Sequence, residues 1–215
     1  ARYGSDETVL MLLRDEKVAD TRAYVGRDLM QTCGEVLRMK RDYNLDETAL
    51  VVVDDVGLGG GVTDRLREQG HRVLAYKGGS KARDADQFFN RRAETWWALR
   101  EELRAGRLSI PDDDKLKSQL TSVRYTPRSD GRIQLEKKDD MLKRGVPSPD
   151  RADALVMALW GRARTDRSYG LRADGDATRA RRATPASIAD AMGASGGSGG
   201  IADAMGGGSS GFNML

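Results

Sequence analysis

The run VVVDDVGLGGG, residues 51 to 61, is the feature that most restricts the fold of this chain. Its continuous apolar stretch predicts a buried strand over Ala49 to Val53, because a strand covered on both faces lacks polar alternation. The pattern then predicts a helix from Val62 to Gln69, closed by Gly70, and another strand from His71 to Tyr76. Strand, helix and strand within so few residues favour a parallel crossover, and therefore an α/β fold.

Four glycines, at positions 57, 59, 60 and 61, follow the two acids of this run. A dinucleotide site would need a third glycine in the G-x-G-x-x-G spacing, and a phosphate-binding P-loop would need a following lysine; the run has neither. A tight turn into the Val62 helix explains the glycines more simply. A nucleotide-binding α/β enzyme remains a distant alternative, and tight nucleotide binding that is lost on changing Gly59 would favour it.

The other signals up to residue 164 are those of a domain built from helices and strands. The runs Thr8 to Leu13 and Lys17 to Val25 predict an antiparallel hairpin. The turn Ser129-Asp130-Gly131 predicts a second hairpin, between Ser122 to Tyr125 and Ile133 to Glu136. Apolar spacings and capping residues predict four further helices, over Arg27 to Tyr43, Asp84 to Ala105, Lys115 to Ser122, and Ser148-Pro149 to about Arg164.

Composition separates this domain from the rest of the chain. From Thr165 to Leu215, arginine, aspartate, glycine, serine and alanine dominate, so too little apolar surface is present to offset the entropy of ordering. We therefore predict one domain over residues 1 to 164 and a disordered tail over 165 to 215. Within the tail, the segment IADAMG occurs twice, at Ile188 and at Ile201. Two copies could be a docking motif or drift in a low-complexity segment.

Bulk properties narrow the class of protein. The 215 residues have a net charge of +3 and a pI near 9.0, which permits nucleic-acid binding without requiring it. A single cysteine, Cys33, cannot form an internal disulfide, and with only one histidine a zinc site is a poor explanation. No apolar run of 18 residues or signal-like start occurs, so we expect a soluble, intracellular protein.

Carboxylates are the strongest candidates for chemistry. Side chains alternate along a strand, so only one of Asp54 and Asp55 can face a site at the carboxyl end, where parallel sheets bind ligands. In the last helix, Asp150 lies in the first turn, where the helix dipole favours a negative charge. Asp153 lies beside apolar residues and needs a partner, which could be an arginine or a divalent metal. With Asp54 it would form a pair of hard oxygen ligands suited to magnesium or manganese.

Three segments occur in a specific order: VVVDDVGLGGGVTDRL, FFNRRAETWWALREELRAG and GRIQLEKKDDMLKRGVPSPDRADALVMAL. Over roughly residues 1 to 162, this order resembles the C-terminal nuclease domain of the large terminase subunit of tailed bacteriophages. The resemblance implies a ribonuclease H-like fold, a mixed central sheet flanked by helices. It also implies three acids that hold two Mg²⁺ or Mn²⁺ ions. Asp54 matches the second acid and Asp153 the third, while Asp150 fits the preceding aspartate of SPD-x-x-D and would support the metal shell.

The family's first acid lies in a segment like Asp-x-Ala-Arg-x-Gly-x-Asp. Residues 1 to 6, ARYGSD, match the end of that segment, so the resemblance places the first acid before Ala1 and gives Asp6 the later, turn position. The family's ATPase motor domain has no counterpart here, and no Walker motif is present. The resemblance therefore implies a nuclease domain with a truncated first strand, which would be inactive unless that strand is supplied.

Two functions follow from the resemblance. The first is a metal-dependent DNA endonuclease domain that cuts concatemeric double-stranded DNA by two-metal phosphodiester hydrolysis. The alternative is a non-catalytic DNA-binding or portal-docking module. The implied partners are DNA, the phage portal and the small terminase subunit, without a membrane, in the host cell cytoplasm. Basic side chains near the cleft are candidates to hold the DNA backbone, and they are Lys77, Lys81, Arg83, Lys137, Lys138, Lys143 and Arg144.

Overall fold

The computed structural model describes residues 7–56 and 59–165, together with the backbone of 212–213. In chain order, the elements are β1 (Thr8–Arg14), β2 (Lys17–Tyr24), α1 (Leu29–Asp42), β3 (Val51–Asp54), α2 (Gly59–Glu68), β4 (Val73–Tyr76), α3 (Arg91–Arg104), α4 (Asp114–Ser122), β5 (Arg124–Pro127), β6 (Ile133–Leu135), α5 (Lys138–Lys143), α6 (Asp150–Thr165) and β7 (Phe212–Asn213). Apart from Thr165 and β7, the predicted tail and its IADAMG segments lie outside the described residues. The predicted domain boundary at residue 164 stays a prediction.

The first two strands form the predicted antiparallel hairpin. The register runs from Thr8 opposite Tyr24 to Arg14 opposite Lys17, with an irregularity between Leu12 and Leu13. Helix α1 follows, and its start is set by Asp28, whose carboxylate accepts a hydrogen bond from the backbone of Gln31 in a capping box. The predicted hairpin and helix are both confirmed, and the helix begins two residues later than its predicted start because Asp28 caps it.

The predicted parallel crossover is formed by β3, α2 and β4. The two strands pair in parallel from Val51 opposite Val73 to Asp54 opposite Tyr76. Helix α2 begins at Gly59, three residues before the predicted start, because the glycines allow a close approach to the strand. A Cβ at Gly59 would lie 1.6 Å from the Asp54 carbonyl oxygen, a distance that no other residue type could accept. The tight-turn explanation of this glycine is therefore supported by its packing.

Buried side chains hold the crossover to its neighbouring helices. Cys33 of α1 packs with Val62 and Leu66 of α2 and with Val73 of β4 in one apolar cluster. Helix α6 packs on the same strands: a Cβ at Gly161 would lie 2.6 Å from Val52 Cγ2. The absence of a side chain at Gly161 thus brings the axis of α6 close to β3.

Two elements differ from their predictions. Helix α3 begins at Arg91 rather than Asp84, because the Asn90 side chain accepts a hydrogen bond from Ala93 and caps the helix there. Upstream of that cap, Phe88 forms an isolated bridge with Ile133 instead of extending the helix. Helix α5 was not predicted at all; its sequence KDDMLK has no apolar period, and Met141 is its one buried residue. The second hairpin, β5 with β6, is confirmed, and β7 adds to the other edge of β5.

The described strands thus pair as a two-stranded antiparallel, a two-stranded parallel and a three-stranded antiparallel ladder. Helices surround them, as predicted for a mixed α/β architecture. The longest described helix, α6, has 16 residues and includes three charged side chains in its first turn alone, and none of the described helices could cross a bilayer.

Candidate active site

Asp54 and Asp153 lie in one electrostatic neighbourhood, although 99 positions separate them in the chain. Asp54 is the last residue of β3, and Asp153 lies at the start of α6. Asp153 lies about 12 Å along α6 from Gly161, the residue at which this helix approaches Val52 of β3. The charges of Asp153 and Lys138 both act on the carboxyl group of Asp54.

Desolvation is the main influence on Asp54. Its Oδ1 accepts one hydrogen bond, 3.3 Å long, from the backbone of Val56. Surrounding protein atoms raise the pKa of the carboxyl group, and the nearby charges of Asp153 and Asp55 raise it further, against the opposing effects of the Val56 hydrogen bond and Lys138. A carboxylate held at an energetic disadvantage beside a second one is typical of a site that binds a cation.

Asp153 has two partners, and neither of them is an arginine. Its Oδ1 accepts a hydrogen bond from Trp96 Nε1 at 3.0 Å, and its Oδ2 lies 2.8 Å from Lys138 Nζ. Desolvation is the largest single influence on Lys138 and acts to lower its pKa, but the hydrogen bond and charge of Asp153 together with the charge of Asp150 outweigh it, so the pKa of the lysine is raised. The sequence leaves an arginine or a divalent metal as the partner of Asp153; the structure shows a lysine and an indole in place of the arginine.

One wall of the site is rigid and neutral. Trp96 is 2% exposed, and the hydroxyls of Tyr76 and Thr95 are 2.7 Å apart. Burial raises the pKa of Tyr76 to about 12, so its hydroxyl keeps its proton at neutral pH. The ring of Tyr76 also packs edge-on against Trp160 at a centroid distance of 5.1 Å. The indole that donates to Asp153 is itself buried.

Asp150 belongs to a different group of contacts. Its Oδ1 accepts a hydrogen bond from Ser148 Oγ at 2.6 Å, and its Oδ2 accepts one from the backbone of Glu7 at 2.9 Å. Arg151 joins the same group, with Nη1 2.6 Å from Asp113 Oδ2 and Nε 3.2 Å from Glu7 Oε2. We call these five residues the anchoring network. It ties the start of β1 to the start of α6. Asp150 would therefore support a metal shell indirectly, by holding the start of α6 in place.

Asp55 points away from this neighbourhood, as strand alternation predicts. Its carboxylate lies 3.2 Å from Lys77 Nζ, and this hydrogen-bonded ion pair is the main reason why the pKa of Asp55 is lowered. Asp54 and Asp55 therefore have opposite pKa shifts from adjacent positions.

The predicted DNA contacts occupy different environments. Lys81, Arg83 and Lys137 are exposed, and Lys143 pairs with Asp140 at 2.9 Å on the surface. Lys138 lies at Asp153, and Arg144 forms a two-pronged pair with Glu136, both contacts 2.7 Å long. Arg144 also donates to the carbonyl of Ser122, so its position is set by structure. Lys81, Arg83 and Lys137 are therefore candidates that lie exposed at the surface.

Two carboxylates are compatible with a divalent ion. Within residues 7–56 and 59–165, no group of three or more potential ligands from histidine, cysteine, aspartate and glutamate forms a complete site. Magnesium, however, commonly uses one or two protein carboxylates together with water and substrate phosphates. Asp54 and Asp153 supply that donor set, and the cation would relieve the disfavoured charge of Asp54. An ion at Asp153 would have to share or displace Lys138.

Fold and site together define a ribonuclease H-like α/β domain with a carboxylate pair at the end of a parallel strand. Among solved structures, the chain is similar to nuclease domains of large terminase subunits. The domain of gp2 from bacterial virus Sf6 is 22% identical, with a TM-score of 0.64, over 74% of this chain and 84% of that one. A mutant of that domain, solved with manganese and beta-thujaplicinol, is 20% identical and has a TM-score of 0.65. The match again covers 74% of this chain and 84% of that one.

A third structure belongs to the same group. The large terminase nuclease of thermophilic phage G20c is 19% identical over 73% of this chain and 75% of that one, with a TM-score of 0.54. A scan of protein-family models and a search of curated proteins gave no match. The chain therefore shares the ribonuclease H-like fold of these terminase nucleases, which is the predicted fold class.

Sequence reasoning anticipated the carboxylates but missed their partners. Nothing in the sequence around Trp96 marks it as a donor to Asp153, because 57 positions separate the two residues. Lys138 is one of seven basic residues that the sequence predicts as DNA contacts, and nothing in the sequence distinguishes it from the other six. The helical spacing of Trp96 in α3 indicates burial, and it is the only signal that could have placed it near α6.

Proposed function

We propose that this chain is the metal-dependent endonuclease domain of a phage DNA-packaging terminase, which cuts concatemeric double-stranded DNA by two-metal phosphodiester hydrolysis. The observation that carries the proposal is that the charge of Asp153 acts on the carboxyl group of Asp54 at the end of β3, on a fold shared with terminase nuclease domains. A mutant Sf6 domain was solved with manganese, and another with calcium. Divalent ions are therefore the natural cofactors to test.

The residues of this chain have separable tasks in such a reaction. Asp54 and Asp153 would hold the ions, which when bound activate water and stabilise the leaving oxygen. Trp96 and Lys138 fix the orientation of the Asp153 carboxylate through its two oxygens. The buried wall of Tyr76 and Trp96 limits access of bulk water to that side. The family's first acid, which the resemblance places ahead of Ala1, would complete the set of three.

Partners follow from the same proposal. Exposed Lys81, Arg83 and Lys137 would neutralise backbone phosphates, a contact that carries no sequence information and suits cutting at many sites. The portal and the small terminase subunit would be the protein partners, in the host cell cytoplasm. Salt dependence of DNA binding would measure the phosphate contacts directly.

One observation favours the alternative, a non-catalytic DNA-binding or portal-docking module. Lys138 already neutralises Asp153, and the described residues supply two site acids rather than three. A domain in this state would bind DNA through its basic side chains without cutting it.

The deciding experiment is plasmid cleavage in manganese. It compares the 215-residue chain with a chain lengthened at its amino end so that an aspartate stands two positions before Ala1. Each is tested with Asp54→Asn and with Asp55→Asn. Asp55→Asn is a matched control, because it also removes one carboxylate charge, at the next residue along the chain. The Asp55 carboxylate pairs with Lys77.

We expect the lengthened chain to cut, Asp54→Asn to abolish cutting and Asp55→Asn to retain it. Equal cutting by both aspartate variants would mean that Asp54 has no special role. Binding of plasmid without cutting by every chain, in manganese and in magnesium, would reject the endonuclease and leave the binding module.

A further inference from the structure

Arg92 is a cation whose charge acts on Tyr76 and Lys138, two residues of the site, and two of its nitrogens lack hydrogen-bond partners among the described residues. It lies in the first turn of α3, and its Nη1 donates to the Glu136 carbonyl at 2.8 Å. Its Nε and Nη2 are buried and have no hydrogen-bond partner in the part of the chain that the structure describes. Burying charged donors without a partner is costly, so such a group usually has a ligand.

Other half-buried arginines show what a purely structural role looks like. Arg144 pairs with Glu136 through two nitrogens, and Arg151 pairs with both Glu7 and Asp113. Arg65 and Arg162 also have an unpaired Nε, but each has a carboxylate partner, Glu68 or Glu102. Arg92 differs because, within the described residues, no carboxylate neutralises it. Its charge remains available to an anion.

The position of Arg92 is set by the segment that leaves β4. The backbone of Arg92 donates to the Gly78 carbonyl at 2.9 Å. A Cβ at Gly78 would lie 3.3 Å from Arg92 Cβ and 3.4 Å from Tyr76 Cε1, so the glycine lets this segment lie against both side chains. Arg92 is thereby held between Tyr76, which lines the site, and the Glu136 carbonyl, two residues before Lys138. Its charge works to lower the pKa of Tyr76 and of Lys138.

We propose that Arg92 binds a phosphate oxygen of the DNA backbone beside the Asp54 and Asp153 carboxylates. A guanidinium presents several N–H groups in a fixed fork, which matches two oxygens of one phosphate. The site holds two acids and two cations. Lys138 pairs with one acid, and Arg92 is the cation left for the substrate.

Access requires one side chain to move. Nε and Nη2 of Arg92 have almost no accessible surface. A side chain that covers them would have to move to open the guanidinium to the phosphate. This role for Arg92 rests on the proposed function for its ligand, DNA, but the oxyanion site itself does not.

The first test measures DNA binding by the full 215-residue chain in calcium over a range of salt concentrations, using a short duplex. Arg92→Met should weaken binding about tenfold and reduce the slope of log affinity against log salt by about one. Arg92→Lys should keep the slope and recover part of the affinity. Arg104→Met is the control, because it removes the same charge from the same helix, about 18 Å further along, where the side chain is 58% exposed.

The second test follows the Nε–H resonance of Arg92 by nuclear magnetic resonance, assigned as the signal lost in Arg92→Lys. We expect it to shift on addition of the duplex and also of inorganic phosphate. Unchanged affinity and slope in Arg92→Met, with no shift in phosphate, would overturn the proposal. A wild-type chain that binds no DNA, yet shifts this resonance in phosphate, would refute the DNA-packaging function and keep the oxyanion site. If Arg92→Met does not fold, Arg92→Lys and the resonance decide.

Discussion

Two groups of charged side chains at the start of α6 have opposite electrostatic character. In the anchoring network, the hydrogen bond from Arg151 is the main cause of the lowered pKa of Glu7. The pKa of Asp113 is also lowered, because hydrogen bonds from the Leu116 backbone and from Arg151 together outweigh the effect of burial. In the site, desolvation and neighbouring acids raise the pKa of Asp54, and Arg92 has donors without a partner. The network's carboxylates are stabilised by their partners, whereas the site includes one disfavoured carboxylate, Asp54 of β3, and one cation with unpartnered donors, Arg92 of α3. Asp153, whose two oxygens are both partnered, is the site residue on α6 and lies within one turn of Asp150 and Arg151.

Breaking the network should give the largest change in stability. Arg151→Met leaves Glu7 and Asp113, whose side chains are 14% and 21% exposed, with reduced compensation. We expect the free energy of unfolding to fall by about 3 kcal/mol, at the lower end of the range for broken buried pairs because these groups are partly open to solvent. Urea unfolding of the full chain measures it.

The control for that experiment is Arg124→Met, which removes an arginine from an exposed position of β5. It should change stability by no more than about 0.5 kcal/mol. A similar loss in both variants would show that overall charge, rather than the network, was responsible.

The second prediction concerns pH and the Glu136–Arg144 pair. The hydrogen bonds from Arg144 are the main cause of the lowered pKa of Glu136. A lowered carboxyl pKa gives stability that is fully present above the ordinary value, about 4.3, and is lost as pH falls through the folded-state pKa. Glu136→Gln should therefore cost about 1.5 kcal/mol at pH 7 and progressively less as the pH falls below about 4.

Unfolding in denaturant at pH 7 and at successively lower pH values tests this directly. Asp140→Asn, in the exposed pair with Lys143, should show no such difference. A constant gap between wild type and Glu136→Gln at all pH values would contradict the assignment.

How far the sequence predicts the molecule depends on the range of the interactions involved. The hairpin and the crossover are marked by local apolar runs and turn residues, and both were predicted within a few residues of their observed bounds. The start of α3 was missed because Phe88 pairs with Ile133, 45 residues away, instead of continuing the helix. Helix α5 was missed because six residues with one buried side chain leave no periodic signal.

The same rule applies to the site. Asp54 could be predicted because a strand ends there, and Asp153 because a carboxylate beside an apolar helix face needs a partner. The identity of that partner could not, since Lys138 and Trp96 approach it from α5 and α3. The sequence around Arg92 does not mark it as a site residue, because the missing hydrogen-bond partners of its Nε and Nη2 are visible only in the folded chain.

A divalent ion should stabilise the site and leave the network unchanged. At five times its dissociation constant, manganese should raise the free energy of unfolding of the wild-type chain by about 1 kcal/mol through binding to the folded state. Asp54→Asn and Asp153→Asn should lose this increment, while Asp55→Asn should keep it. Thermal unfolding with manganese and with chelator measures the increment. Equal stabilisation of all four chains would mean that manganese binds elsewhere.

Asp54→Asn in metal-free buffer should give the smallest effect, but with the opposite sign to the loss of Arg151. A carboxyl whose folded-state pKa is raised contributes stability below its ordinary pKa and loses it as pH rises through the raised value. At pH 7 the ionised Asp54 is therefore unfavourable, and asparagine should stabilise the chain by roughly 0.5 kcal/mol, a figure reduced for solvent exposure. The gain should fade toward pH 4, as the wild-type carboxyl takes up its proton.

Urea unfolding at pH 7 and at pH 4 measures this gain, with Asp55→Asn as the control. Because Asp55 is stabilised by Lys77, that variant should not gain stability. A loss of stability in Asp54→Asn would place Asp54 among the satisfied charges and remove the contrast between site and network.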